Sequence, residues 1–171
     1  MLDSAGYSLE TLVKLLHLQP HPEGGWYREL HRSAMKVHRD DGQQRAALTL
    51  IWFLLGSREI SRWHRVIGAD ETWHHAGGDP LDLWILPPAG GVAQRLKLGP
   101  LGSSPVSEED PHEPAQPVHV VPAGWWQAAR CPGAWTLVSC CVGPGFEFQD
   151  FQLLGHQPAS SHPPGALSDL L

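Results

Sequence analysis

The run SRWHRVIGADETWHHAGGDPLDLWIL, from Ser61 to Leu86, constrains the fold more than any other stretch of the chain. It gathers His64, Glu71, Trp73, His74 and His75 within twelve residues of strand-like sequence. Ser61 to Ile67 reads as one strand, Gly68-Ala69-Asp70 as a turn, and Glu71 to His75 as the start of a second strand. Side chains alternate along a strand, so Arg62, His64 and Val66 share a face. Glu71, Trp73 and His75 share a face as well, and His74 points away unless a bulge resets the register. With His64 and Glu71 both inward, a base and a carboxylate meet on neighbouring strands of one pocket. A plainer account fits the same residues: a satisfied core histidine and a surface glutamate.

The remainder of the chain extends this pattern of short strands. Its 171 residues suit one domain with a substantial core. Its 18 glycines and 16 prolines favour many turns over long helices. Ser8 caps a short amphipathic helix at 8–17, with Leu9, Leu12, Val13 and Leu16 at helical spacing. That apolar stripe is expected to cover a sheet, either its own or that of a partner in a symmetric dimer. Next comes LQPHPEGGWYREL, a turn followed by a strand from Trp26 to His31. Residues 32–44 read as a mobile polar loop, and Ala46 to Leu55 as a buried strand. Leu81–Leu86 and Val92–Leu98 form a hairpin-like pair, and further strands are expected at 118–121, 125–129 and 135–142. The acidic run Glu108-Glu109-Asp110 reads as part of a solvated loop over 99–117. The Pro-, Ser- and Gly-rich tail from Gly155 reads as disordered. About eight to ten short strands and one leading helix make an antiparallel barrel or jelly roll.

Charge and cysteine use narrow the function classes. A net charge of −6 and a pI near 5.9 argue against a nucleic-acid-binding face. No apolar run is long enough for a membrane span. MLDSAGYSLE lacks the basic and apolar regions of a signal peptide, so a cytoplasmic protein is expected. The three cysteines show neither a disulfide framework nor CxxC zinc spacing. Reduced and mostly buried thiols are expected.

Two spaced motifs carry a resemblance. His64, Val66, Glu71 and Gly78 stand at the spacing of the first cupin motif, with Val66 replacing its second histidine. Pro122-Ala123-Gly124-Trp125-Trp126-Gln127 has the spacing of the second, with Gln127 replacing its histidine. LQPHPEGGWYREL, SRWHRV, DETWHHAGGDPL, VPAGWWQAA and VGPGFEFQDFQLL together resemble the small cupins labelled predicted sugar epimerases. That family often has another histidine two residues after the position of His74, where Ala76 stands here. The resemblance implies an all-β, double-stranded β-helix (a cupin jelly-roll barrel) with a short N-terminal helix. It also implies a homodimer. A single cupin domain would span 1–154, with its barrel core at about 46–153 and a tail at 155–171.

Cupin metal sites use three histidines and a glutamate. Only His64 and Glu71 remain of that set, so no cofactor is expected. A weakly held divalent ion, with His64, Glu71, His75 and Gln127 as candidate ligands, is the most this set allows. The resemblance extends to metal-free deoxysugar 3,5-epimerases, in which a histidine removes a proton and a lysine stabilises the enolate. His64 then becomes the general base, with Glu71 as its partner. Glu71 falls at the lysine position, however, and would repel an enolate unless protonated. Tyr27, Arg62, Trp73, His74, His75, Trp125 and Gln127 complete the candidate ligand contacts. Their flat faces and few polar groups suit a sugar-like or nucleotide-like ligand. Three readings stand: an epimerase or isomerase, a non-catalytic binding barrel, and a metal-dependent cupin enzyme.

Overall fold

The structure, a computed structural model, describes residues 6–103 and 114–171. The acidic run 108–110 therefore lies outside the described residues. The chain opens with helix α1 (Leu9–Leu15), where the Ser8 side chain accepts from the Thr11 backbone N–H at 3.2 Å. Strands follow as β1 (Gln19–Pro20), β2 (Trp26–Arg32), β3 (Lys36–His38), β4 (Gln44–Ala46) and β5 (Thr49–Gly56). The central stretch forms β6 (Ile60–Val66), β7 (Asp70–Gly78) and β8 (Leu81–Leu86). The barrel continues through β9 (Gln94–Leu98), β10 (Val118–Val121), β11 (Trp126–Arg130), β12 (Trp135–Gly143) and β13 (Phe151–Leu153).

Two antiparallel sheets face each other. One has the order β1-β2-β5-β12-β7-β10 and the other β13-β6-β11-β8-β9. Consecutive strands keep changing sheets, as in a jelly roll. Between the sheets lies a core of inward residues, among them Phe53, Leu55, Trp73, Leu83, Val138 and Cys140. All three cysteines are free thiols.

Outside the barrel, the apolar stripe of α1 is covered within its own chain. Leu12 packs with Leu54, Trp135 and Leu137 on the outer face of the six-stranded sheet. Two expectations need correction. Residues 32–44 are not a plain loop, because β3 and β4 pair there as a hairpin. That hairpin is tied to Asp150, which accepts from Arg45 Nε at 2.7 Å and from Arg45 Nη2 at 2.9 Å. Arg39 Nη1 lies 3.0 Å from the same carboxylate. Much of 146–153 is irregular: a 3-10 turn at Phe148–Asp150 precedes β13. The tail after Gly155 packs on the barrel rather than leaving it. Leu154 and Leu170 are buried with Trp63, Leu86 and Trp126, and Trp63 Nε1 donates to the Leu167 carbonyl at 3.0 Å. Two or three apolar anchors suffice to seat a segment whose composition otherwise suggests disorder.

Candidate active site

The core leaves a cavity of about 150 Å³ at one end of the barrel. That is about the volume that holds one six-membered ring. Register explains its floor. On β6, His64 pairs with Gln127 of β11 and with Leu153 of β13. On β7, Glu71 pairs with Val142 and Trp73 with Cys140 of β12. His64, Glu71 and Trp73 all line the cavity, and Tyr27 joins them from β2.

The turn between β1 and β2 supplies the remaining floor groups, His21 and Glu23. It is stitched to β6, since the Arg62 backbone N–H donates to the Glu23 carbonyl at 2.9 Å. The approach is so close that a Cβ on Gly24 would collide with the carbonyl oxygen of Ile60. Gly24 also has φ of 111°, which disfavours any other residue. Pressed against β6 in this way, Glu23 accepts from Ser61 Oγ at 2.7 Å on Oε1. Its Oε2 lies 3.2 Å from His64 Nε2 and 3.1 Å from His21 Nδ1.

Hydrogen-bond logic fixes the state of His64. Its Nδ1 lies 2.8 Å from the Arg62 carbonyl, which only accepts, so Nδ1 carries a hydrogen. Nε2 then faces a carboxylate oxygen, and that contact is attractive only with a proton between the two atoms. His64 and Glu23 therefore form a buried dyad sharing one proton. Burial by itself would raise the Glu23 carboxyl, but His64, His21 and the bonds from His21 and Ser61 hold it below its ordinary value.

Glu71 has the opposite character. Burial raises its carboxyl, the charge on Glu23 adds to this, and His64 and Gln127 offset only part. Gln127 Nε2 donates to Glu71 Oε2 at 2.6 Å, and Gln127 Oε1 accepts from Trp73 Nε1 at 2.8 Å. Gln127 thus stands behind the cavity wall and orients Glu71. Cys140 also lines the cavity, and burial pushes its thiol well up.

Aromatic rings make the walls and mouth. Phe53 and Trp73 meet edge to face, and Phe148 and Phe151 pack against His21 near the opening. At the rim, Arg32 makes four hydrogen bonds: two to Glu29, one to Glu147 and one to the Phe146 carbonyl.

Five expected contacts do not line the cavity, Gln127 behind its wall being one. Arg62 is expected on the face of His64, but the β6–β11 register shifts between Ser61 and His64, and its guanidinium is held by the Pro22 and Glu23 carbonyls. The turn over that end of β6 displaces it from the cavity. His75 pairs with the core residue Val138, so it keeps the face of Glu71, but it lies past the cavity along β7. Just beyond it the β7–β12 register shifts. His74 turns outward and its Nε2 lies 2.9 Å from Thr72 Oγ1. Trp125 packs against the main core and does not line the cavity. Conversely, His21, Glu23, Glu29 and Arg32 were not singled out from sequence. The first two sit in a turn without periodicity, where the PHPEGGW run was the only available signal.

These side chains do not fit the metal set of a cupin. Val66 is a hydrocarbon, Gln127 uses its oxygen on Trp73 and its nitrogen on Glu71, and both His64 nitrogens are engaged. Among the described residues, no cluster of three or more His, Cys, Asp or Glu is placed to hold a metal ion. Nor, among them, is any helix long and apolar enough to cross a membrane.

Known proteins agree with the architecture. A hypothetical protein from Leishmania major is 33% identical, with 85% of this chain and 86% of that one covered and a TM-score of 0.72. A protein of Shewanella oneidensis is 31% identical over 86% of this chain and 85% of its own, also with a TM-score of 0.72. A dTDP sugar isomerase from Desulfovibrio desulfuricans shares the fold at 13% identity, covering 85% and 91% of the two chains with a TM-score of 0.52. No curated protein matches the sequence. The profile of the family described as "Cupin superfamily (DUF985)" matches residues 10–154, and the chain belongs to that family.

Proposed function

We propose that the cavity binds a small, ring-sized, sugar-like substrate and isomerises or epimerises it by proton transfer, without a metal. One observation carries this reading. Glu23 and Glu71 are two buried carboxyls in one cavity with His64, and their surroundings favour opposite protonation states. Such a pair supplies a base and an acid at the same pH.

The dyad is the base. A proton leaves the substrate carbon next to a carbonyl and passes to the Glu23 carboxylate of the pair, since both His64 nitrogens already carry hydrogens. The electron pair of the broken C–H bond moves to the carbonyl oxygen, which takes the proton of Glu71. Protonation of the former carbonyl carbon, as the neighbouring hydroxyl gives its proton to Glu71 and becomes the carbonyl, isomerises the substrate; protonation of the original carbon on its opposite face, as the enol O–H proton returns to Glu71, epimerises it. Burial favours the protonated form of Glu71, and in that form it donates to the developing oxyanion instead of repelling it. Gln127 holds Glu71 in place.

The test is solvent exchange. A panel of aldoses, ketoses and deoxyketosugars is incubated with the protein in D2O and followed by NMR. Deuterium should enter next to the carbonyl of at least one substrate, and His64→Ala and Glu23→Gln should each abolish it. Sugars that bind without any exchange would establish a second reading, a binding barrel without turnover. One observation favours that reading: Arg32, the only arginine lining the cavity among the described residues, is already engaged by two glutamates.

A further inference from the structure

The charge of the cavity selects the class of its ligand. Four glutamates line it, namely Glu23, Glu29, Glu71 and Glu147, against one arginine and two histidines. Arg32 and His64 are already engaged, and His21 has one ring nitrogen on Glu23. Arg32 is held between Glu29 and Glu147 at 2.8 Å from each. His64 directs one nitrogen at the Arg62 carbonyl and the other at Glu23. His21 Nδ1 lies 3.1 Å from the same Glu23 carboxylate. A phosphate or carboxylate entering here would meet two carboxylates, Glu29 and Glu147, against one arginine at the rim.

The aromatic walls point the same way. Tyr27, Phe53, Trp73, Phe148 and Phe151 present ring surfaces around a volume of about 150 Å³. Ring faces attract cations through their quadrupole, and more strongly where water is excluded. Carboxylates with aromatic walls form a receptor for an organic ammonium group, and the volume seats one ring.

We infer that the ligand of this cavity is a single-ring compound bearing an amine, and that nucleotides, sugar phosphates and sugar acids are turned away. This rests on the cavity being the ligand site, as proposed above. Of the two ligand classes suggested by the sequence, it keeps the sugar-like one, in amino form, and drops the nucleotide-like one.

The test uses three probes of one shape: benzylammonium, benzyl alcohol and benzoate. Each is titrated at low ionic strength into the intact protein, and binding is read from backbone amide shifts of cavity residues. Benzylammonium should bind about threefold tighter than benzyl alcohol and at least about tenfold tighter than benzoate, the scale of one uncompensated charge near a wet rim. The double variant Glu29→Gln/Glu147→Gln frees Arg32 and should narrow the amine-to-acid ratio by about tenfold. If the double variant does not fold, Glu147→Gln alone should narrow it in the same direction. Glu10→Gln, on the exposed side of α1, should leave the ratio unchanged. Benzoate binding as tightly as benzylammonium, equal binding of amine and alcohol, a ratio insensitive to the rim variants, or no binding of any probe would each overturn the inference. The probes are not sugars and undergo no turnover. Loss of charge selection with intact His64-dependent exchange would thus strike this inference alone. Amine selection without exchange on any sugar would strike only the proposed reaction.

Discussion

The two faces of the β13-β6-β11-β8-β9 sheet are built from the same strands and do opposite work. On β6, His64 faces the cavity, while its neighbour Trp63 faces outward to the tail. On β11, Gln127 faces inward to Glu71, while its neighbour Trp126 joins Trp63 outside. The outer face is held by apolar burial, closed by Leu154 and Leu170, with Arg65 stacked 4.4 Å over the Trp126 ring. Its contribution scales with area, at about 25 cal/mol per Å². The inner face buries polar groups whose hydrogen bonds return only about 0.5–1.5 kcal/mol each. The contrast teaches that one layer of side chains can be optimised for stability while its neighbour, one residue away, is given over to chemistry.

Substitutions can break or sharpen this contrast, and the largest effects belong to the outer face. Trp63→Ala should lower stability by about 3–5 kcal/mol, read from urea melts. Any proton exchange should persist in the fraction that stays folded. Leu170→Ala should remove about 2–4 kcal/mol, because it opens the seal over the same tryptophan. A loss below about 0.5 kcal/mol, the scale of a surface change, would mean that the tail is not a structural part of the barrel. On the inner face, His64→Ala should abolish exchange while lowering stability by only about 1–2 kcal/mol. A larger loss would make His64 a structural residue first.

The smallest effect has the opposite sign and depends on pH. Burial raises the folded carboxyl of Glu71 above its ordinary value of 4.5. Its contribution to stability is therefore full below that value and fades as pH rises through the folded one. Gln cannot ionise, so Glu71→Gln should be more stable than the natural chain at neutral pH. The gain should vanish in acid, and urea melts across pH would show it. Glu23 works the other way. Its carboxyl is lowered, so its contribution is present above the ordinary value and is lost as pH falls through the folded one.

Alternation made much of this legible. The strands at β6 and β8, the pairing of β8 with β9, and the Ser8 cap follow from local pattern alone. So does the inward facing of His64 and Glu71. What alternation cannot supply is position along a strand. His75 keeps the predicted face but sits two residues beyond Trp73, where the barrel is filled. Nor can it read turns, and His21 and Glu23 come from one. The β3–β4 hairpin escaped because each strand is only three residues long and the buried residues of β4, Arg45 and Ala46, are adjacent, so no apolar period marks them. The tail escaped because its few anchoring side chains are diluted by proline and serine.

The Gly24 contact with β6 has a use in reading genomes. The Glu23–His64 dyad exists only where the preceding turn lies flat on the strand, and any side chain at position 24 would lift it. The glycine therefore works as a diagnostic letter. A relative that keeps a histidine at position 64 but carries a bulkier residue at 24 should have lost the shared proton, and with it the chemistry. A catalogue of such barrels can be sorted into proton-transfer candidates and simple binders by one character of sequence.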